Sequence, residues 1–174
     1  MPFPIKRSLT DKTADRGEGE NMSKYECVRD SDTNGGLACV AAICLQYKKH
    51  APMVQAGGLL EYGVGTPSLG EIVDKLGVYG FQAKIIAVTK DGFRGKFKLP
   101  CIVRQFNCEG LNHFVVLHKI GWKHFLVADP AKGLQKVRKD SFFNDLNRYA
   151  VICAPMGTLD RVREKSAFGR FFSF

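Results

Sequence analysis

No stretch of this sequence stays apolar for the roughly 20 residues that a helix needs to cross a bilayer; runs such as Phe114–Leu117 end after a few residues. The opening Met1 to Arg7 has no apolar h-region, so no secretory signal is expected. None of the six cysteines stands in a C-x-x-C pair, and no histidine lies at zinc-finger spacing from two of them. Neither a metal nor any other cofactor is therefore expected. Internal repeats and low-complexity tracts are absent. So is any nucleic-acid module such as an RRM or a helix-turn-helix, and basic residues do not interleave with aromatics along one element. No nucleic-acid partner is expected.

What remains is the composition of one ordinary globular domain: 174 residues, 45% hydrophobic and 25% charged. The cysteines are scattered, and Cys39, Cys44 and Cys153 lie in apolar stretches. That pattern reads as reduced thiols of a cytosolic protein rather than a disulfide framework. Acidic residues are outnumbered 17 to 26, giving a formal charge of +9 that biases the chain toward polyanions, acidic peptides or an anionic membrane face. The densest basic group is Arg161, Arg163, Lys165 and Arg170.

Met1 to Ser23 is polar, carries Gly17 and Gly19 among charges and shows no sustained period, as in a disordered lead-in. From Leu37 to Tyr47 the residues are apolar nearly all round, which predicts a buried helix capped by Asn34 or Thr33, with Gly35-Gly36 at its start. Thr66-Pro67-Ser68 introduces a second, amphipathic helix with Leu69, Ile72, Val73 and Leu76, stopped at Gly77. Strands are then predicted over 81–88 and 100–104. His113 to Ile120 and Trp122 to Ala128 form a hairpin turned at Gly121. A turn at Asp129 to Gly133, a strand at 135–137, a short helix from Ser141 to Leu146 and a last strand from Tyr149 to Ala154 complete the order. The chain is thus α+β, helices first and an antiparallel sheet after.

His113 opens one strand of the hairpin and Asp129 follows the other, so antiparallel pairing sets imidazole beside carboxylate. A carboxylate that accepts the Nδ1 hydrogen fixes the ring and leaves Nε2 for a nucleophile. The helix beginning at Gly35 is the matching element, since a helix N-terminus favours a thiolate. Cys27, Cys101 and Cys108 have no placed base, and Cys108 lies in a polar turn. His50, His118 and His124 read as structural or surface residues, and Gly57-Gly58 as a loop.

The run Arg29-Asp30-Ser31-Asp32-Thr33-Asn34-Gly35-Gly36-Leu37-Ala38-Cys39-Val40-Ala41-Ala42-Ile43 occurs in order with Thr66-Pro67-Ser68-Leu69, Leu99-Pro100-Cys101-Ile102-Val103, Asn112-His113-Phe114-Val115-Val116-Leu117 and Val127-Ala128-Asp129-Pro130-Ala131-Lys132-Gly133. Together these segments resemble the C39 peptidase domain, over about Tyr25 to Pro155. The resemblance implies a papain-like cysteine-peptidase fold, a helical part packed on an antiparallel sheet. It implies a domain at 24–156, with a lead-in at 1–23 and a basic linker at 157–174 toward a membrane domain. Such domains precede the transmembrane and ATPase parts of bacteriocin-processing ABC exporters and cleave leader peptides after a double glycine. The location implied is cytoplasmic, or the cytoplasmic face of the bacterial inner membrane. The leader would lie as an amphipathic helix in a hydrophobic groove, its glycine end in the cleft.

Two positions depart from the family pattern of Gln, five residues, then Cys-Gly. The Gln position is Arg29 and the Cys position is Gly35. Without a thiolate no acyl-enzyme forms, and the lost amide donor is worth roughly 3 kcal/mol to an oxyanion. Arg29 offers a cationic donor of different length and charge. Cys39, one turn along and about 6 Å further from the helix start, is the candidate substitute nucleophile, with a buried core thiol as its plainer role. Three readings follow from the resemblance: a domain that binds or tethers a leader without hydrolysing it, a peptidase whose nucleophile has been deliberately replaced, and residual activity through Cys39 or a shifted register.

Overall fold

The computed structural model describes residues 21–30, 35–51, 54–55, 58–59, 66–94 and 98–157. A turn of 3₁₀ helix at Met22–Lys24, capped by the Asn21 side chain, spans the boundary between the expected lead-in and the domain. Helix α1, Gly35–Gln46, follows; Gly36 to Cys44 are all buried, as an apolar sequence without a polar stripe requires. The residues proposed to cap it lie outside the described ones. Two-residue strands β1 (Val54–Gln55) and β2 (Gly58–Leu59) pair, so Gly58 belongs to a small ladder rather than to the expected loop. Gly57 is not among the described residues.

Helix α2, Leu69–Val78, begins at Ser68 with a capping box: Glu71 N–H donates to Ser68 Oγ at 3.2 Å and Ser68 N–H donates to the Glu71 carboxylate at 2.6 Å. Ile72 and Leu76, one turn apart, are its buried stripe. Gly80, at φ +77°, then reverses the chain, and Lys49 Nζ donates to its carbonyl at 2.8 Å.

Six strands make the main sheet: β3 (Phe81–Ala87), β4 (Cys101–Phe106), β5 (Asn112–Ile120), β6 (His124–Asp129), β7 (Gly133–Arg138) and β8 (Leu146–Pro155). Their spatial order is β3-β8-β4-β5-β6-β7, antiparallel throughout. The short helix α3, Lys139–Asn144, links β7 to β8. It sits two residues earlier than expected, because Leu146 joins the sheet opposite Gln105 and pulls the end of the expected helix into the strand. Similarly β6 starts at His124 rather than at Trp122: Gly121 N–H donates to His124 O and closes the turn across Trp122 and Lys123.

Both faces of the central strands are covered, while the edge strands β3 and β7 keep exposed residues, and the period of two sorts the side chains between the faces. Ile102, Phe114, Val116, Ala128, Val151 and Cys153 meet α1 and α2. Cys101, Val103, Val115, Leu117, Val127 and Ile152 meet the opposite layer, where Phe93, Phe125, Phe142 and Phe143 stack edge to face with centroids 4.9–6.2 Å apart. Among the described residues no helix is long and apolar enough to cross a membrane.

Phe142 is fully buried at the centre of the aromatic cluster. Phe142→Ala is expected to lower unfolding free energy by about 3–5 kcal/mol in urea titrations, because neighbouring rings held by strands collapse little into the void.

Candidate functional site

His113 is the second residue of β5 and Asp129 the last of β6. Val116 pairs with Ala128, so continuing that register sets His113 on the diagonal from Asp129 rather than directly across. The two nonetheless meet, His113 Nε2 lying 3.0 Å from Asp129 Oδ1 with side chains 23% and 5% exposed. The pairing atom differs from the expected Nδ1. Nε2 is the ring nitrogen farther from the backbone, and the diagonal offset requires its longer reach; Nδ1 is the nitrogen left outside the pair.

Asp129 Oδ1 also accepts the N–H groups of Ala131, at 2.8 Å, and Lys132, at 3.2 Å. Burial by itself would raise this carboxyl. The hydrogen bond and charge of His113 and the two amides outweigh it and hold the group below the ordinary aspartate value.

The turn after Asp129 is clamped from the other side by the segment Lys24 to Asp30. Asp30 N–H donates to Pro130 O at 3.1 Å, Arg29 Nη2 to Ala131 O at 2.8 Å, and the Cys27 thiol to Asp129 O at 3.7 Å. Gly133 has φ +93°, and a Cβ there would come within 2.7 Å of Arg29 Nη1. Only glycine lets the guanidinium lie across the turn. Arg29, expected as a substitute oxyanion donor, thus has one amino group on the Ala131 carbonyl. The segment itself is latched by the Gln46 amide, which accepts from Glu26 N–H at 2.8 Å and donates to Lys24 O at 3.1 Å, and by His118 Nε2, 2.8 Å from Glu26 O. A lone Gln ending an apolar helix was the sequence signal for this latch, and it is legible only once the segment's path is known.

Gly35 starts α1 beside the same turn. A Cβ built on it would lie 3.9 Å from Pro130 Cγ, ordinary van der Waals contact. Gly36 is different, because a Cβ there would run into the Pro67 ring and lie 3.1 Å from Ile72 Cδ1. His113 and Asp129 are thus paired, and Gly35, at the helix start beside the turn that follows Asp129, carries no nucleophilic atom. Cys39 is 1% exposed, and burial pushes its thiol well up, with the charges of Asp129 and Cys27 adding in the same direction. Burial likewise raises Cys27, against the lowering effect of Arg29. Cys101 is in the core, and Cys108 is exposed. His118 is buried, its ring 5.3 Å from that of Tyr25, whereas His50 and His124 are exposed. Among the described residues no group of three His, Cys, Asp or Glu could hold a metal ion.

Because the folded-state carboxyl of Asp129 titrates below its unfolded value of about 4, its ionised form contributes stability that is complete above that pH and is lost as pH falls through the folded value. Asp129→Asn is expected to destabilise the chain by about 1–3 kcal/mol at neutral pH. In unfolding titrations across the acid range, the gap between the two proteins should close as pH falls below about 4.

The peptidase C39 family model matches residues 24–158. The colicin V secretion/processing ATP-binding protein CvaB of Escherichia coli is 26% identical over 117 residues, which cover 66% of this chain and 15% of that protein. Among solved structures, the peptidase domain of Streptococcus ComA, a bifunctional ABC transporter involved in quorum sensing, is similar with TM-score 0.62 and 20% identity, over 75% of this chain and 98% of that one. A double glycine motif protease from an AMS/PCAT transporter, solved with its leader peptide, gives TM-score 0.61 and 22% identity, over 75% and 91%. The two structures share the fold, and the family model spans the helix start, the hairpin and the Asp129 turn together. The chain belongs to the peptidase C39 family.

Proposed function

We propose that this domain binds double-glycine leader peptides for export or processing by a bacteriocin-type ABC transporter and does not itself hydrolyse them. One observation carries the reading: the helix start beside the turn that follows Asp129 is occupied by Gly35, which has no side chain to attack a carbonyl carbon. On this reading Cys39 does not replace it, because it is 1% exposed one turn further into the core, where burial pushes its thiol well up. What the reading keeps is a paired imidazole, a clamped turn and a helix start without a side chain. The solved relative bound to a leader peptide supports the ligand class. The match to 15% of a secretion/processing ATP-binding protein supports transmembrane and ATPase parts as partners and the cytoplasmic face of the membrane as the location.

A second reading, a peptidase deprived of its nucleophile by one replacement, is favoured by the intact pair and by the room at Gly35. Arg29 separates the two readings. In the binding-only domain it is part of the site, anchored on Ala131; after a single replacement the Gln of the active family pattern would still stand there.

The chain is expected to bind a labelled double-glycine leader peptide in fluorescence anisotropy and to leave it intact by mass spectrometry. Cleavage by the unmodified chain, abolished by Cys39→Ala, would sink the non-hydrolytic reading; failure to bind any such leader would sink the ligand class. Gly35→Cys is expected to fold, since its Cβ has room, and to gain slow cleavage at the double glycine. Adding Arg29→Gln is expected to raise the rate further by roughly a hundredfold, the usual worth of one oxyanion donor.

A further inference from the structure

The end of the sheet opposite His113 and Asp129 carries a feature that leader binding does not use. β5 leaves the site and ends at Ile120, and β6 returns from His124, so the turn between them is the far tip of the molecule's central hairpin. The turn is tight, with Gly121 N–H donating to His124 O at 3.0 Å, and a Cβ on Gly121 would strike that same carbonyl. Its middle residue is Trp122, 89% exposed and the one tryptophan of the chain. The ring therefore lies almost wholly in solvent.

The surroundings of the tip are cationic. Lys139 N–H donates to Lys123 O at 3.0 Å, joining the start of α3 to the turn. Arg138 pairs with His124 across β6 and β7, and Lys136 lies two residues back on the same face. Residues 119–126 and 134–141 together contain five Lys or Arg and a single acid, Asp140. That acid lies 4.0 Å from Arg138 with both side chains largely in water, where the pair is weak and screened.

We propose that this hairpin tip docks the domain on an anionic phospholipid bilayer, Trp122 entering the boundary between headgroups and acyl chains while Lys123, Lys136, Arg138 and Lys139 meet lipid phosphates. An indole has an apolar body and one N–H donor, which suits a layer that is wet on one side and apolar on the other. Each cation near such a surface adds attraction that falls off within a Debye length. A single-stranded nucleic acid would call for several aromatics along a groove, whereas here one ring stands alone. Docked this way, the domain would hold the His113 end away from the lipid and open to a peptide. The inference stands on the tip alone and does not depend on the leader-binding reading.

The test uses the full chain with vesicles of three parts phosphatidylcholine to one part phosphatidylglycerol, and with pure phosphatidylcholine as control. The expected result is co-sedimentation with the mixed vesicles only, reversed by salt. It should be accompanied by a blue shift of tryptophan emission and by quenching when the phosphatidylcholine carries brominated acyl chains. Both signals report Trp122 alone. Lys123→Glu with Arg138→Glu is expected to weaken binding by roughly twenty-fold or more. Trp122→Ala should weaken it while leaving circular dichroism unchanged, as suits residues exposed on a turn and a strand edge. Sedimentation without a tryptophan shift would assign binding to another basic segment and overturn the proposal, as would no binding to the mixed vesicles. Tighter binding to an oligonucleotide that quenches Trp122 would overturn it in favour of nucleic acid.

Discussion

One carboxylate oxygen organises the functional end of this molecule. Asp129 Oδ1 gathers three donors, one from the β5 imidazole and two from the amides of its own turn, and each acts on a different part of the structure. The imidazole is held on the diagonal across the hairpin. The amides shape the turn so that the carbonyls of Pro130 and Ala131 face the segment ending at Asp30. Helix α1 begins beside the same turn, where a Cβ on its first residue would be at contact distance from the Pro130 ring. Losing the carboxylate would thus loosen the sheet end, the turn and the approach to the helix together, a shared dependence that makes single contributions there non-additive.

The rest of the fold sets the conditions under which one oxygen can matter so much. Burying both faces of the central strands confines most of their side chains to apolar packing, and the antiparallel order brings the start of β5 and the end of β6 to the same end. On one face α1 is sealed from Gly36 to Cys44, so only its first residue reaches the site. A helix this apolar can present one position to a cleft and no more, and for that reason Cys39, one turn along, belongs to the core.

The elements were legible where a single period ran long enough: α1 as an all-round apolar run, α2 by its cap and stripe, and the hairpin by its turn. Sequence reasoning misplaced α3 by two residues because the apolar Leu146 suits a helix end and a strand start equally well, and only its pairing with Gln105 decides. The meeting of His113 and Asp129 was readable from hairpin logic, whereas the nitrogen that makes the contact was not, since it depends on a diagonal offset fixed by register. The clamp was invisible for a related reason. Arg29, Gln46 and Gly133 are far apart in sequence and share no period; what unites them is the path of an irregular segment whose backbone groups needed partners.

The two glycines at the start of α1 show how packing separates a structural demand from a functional one. At Gly36 any side chain would drive into Pro67 and crowd Ile72, so the junction of α1 with α2 requires glycine whatever the domain does. At Gly35 nothing requires it: the backbone is helical, and the nearest atom to an added Cβ is at contact distance. On the proposed reading, the empty position is therefore not a compromise that folding imposes. On that reading it is a place where the fold would accept a side chain beside the turn that Asp129 shapes, and where the lack of one alters the chemistry without altering the architecture.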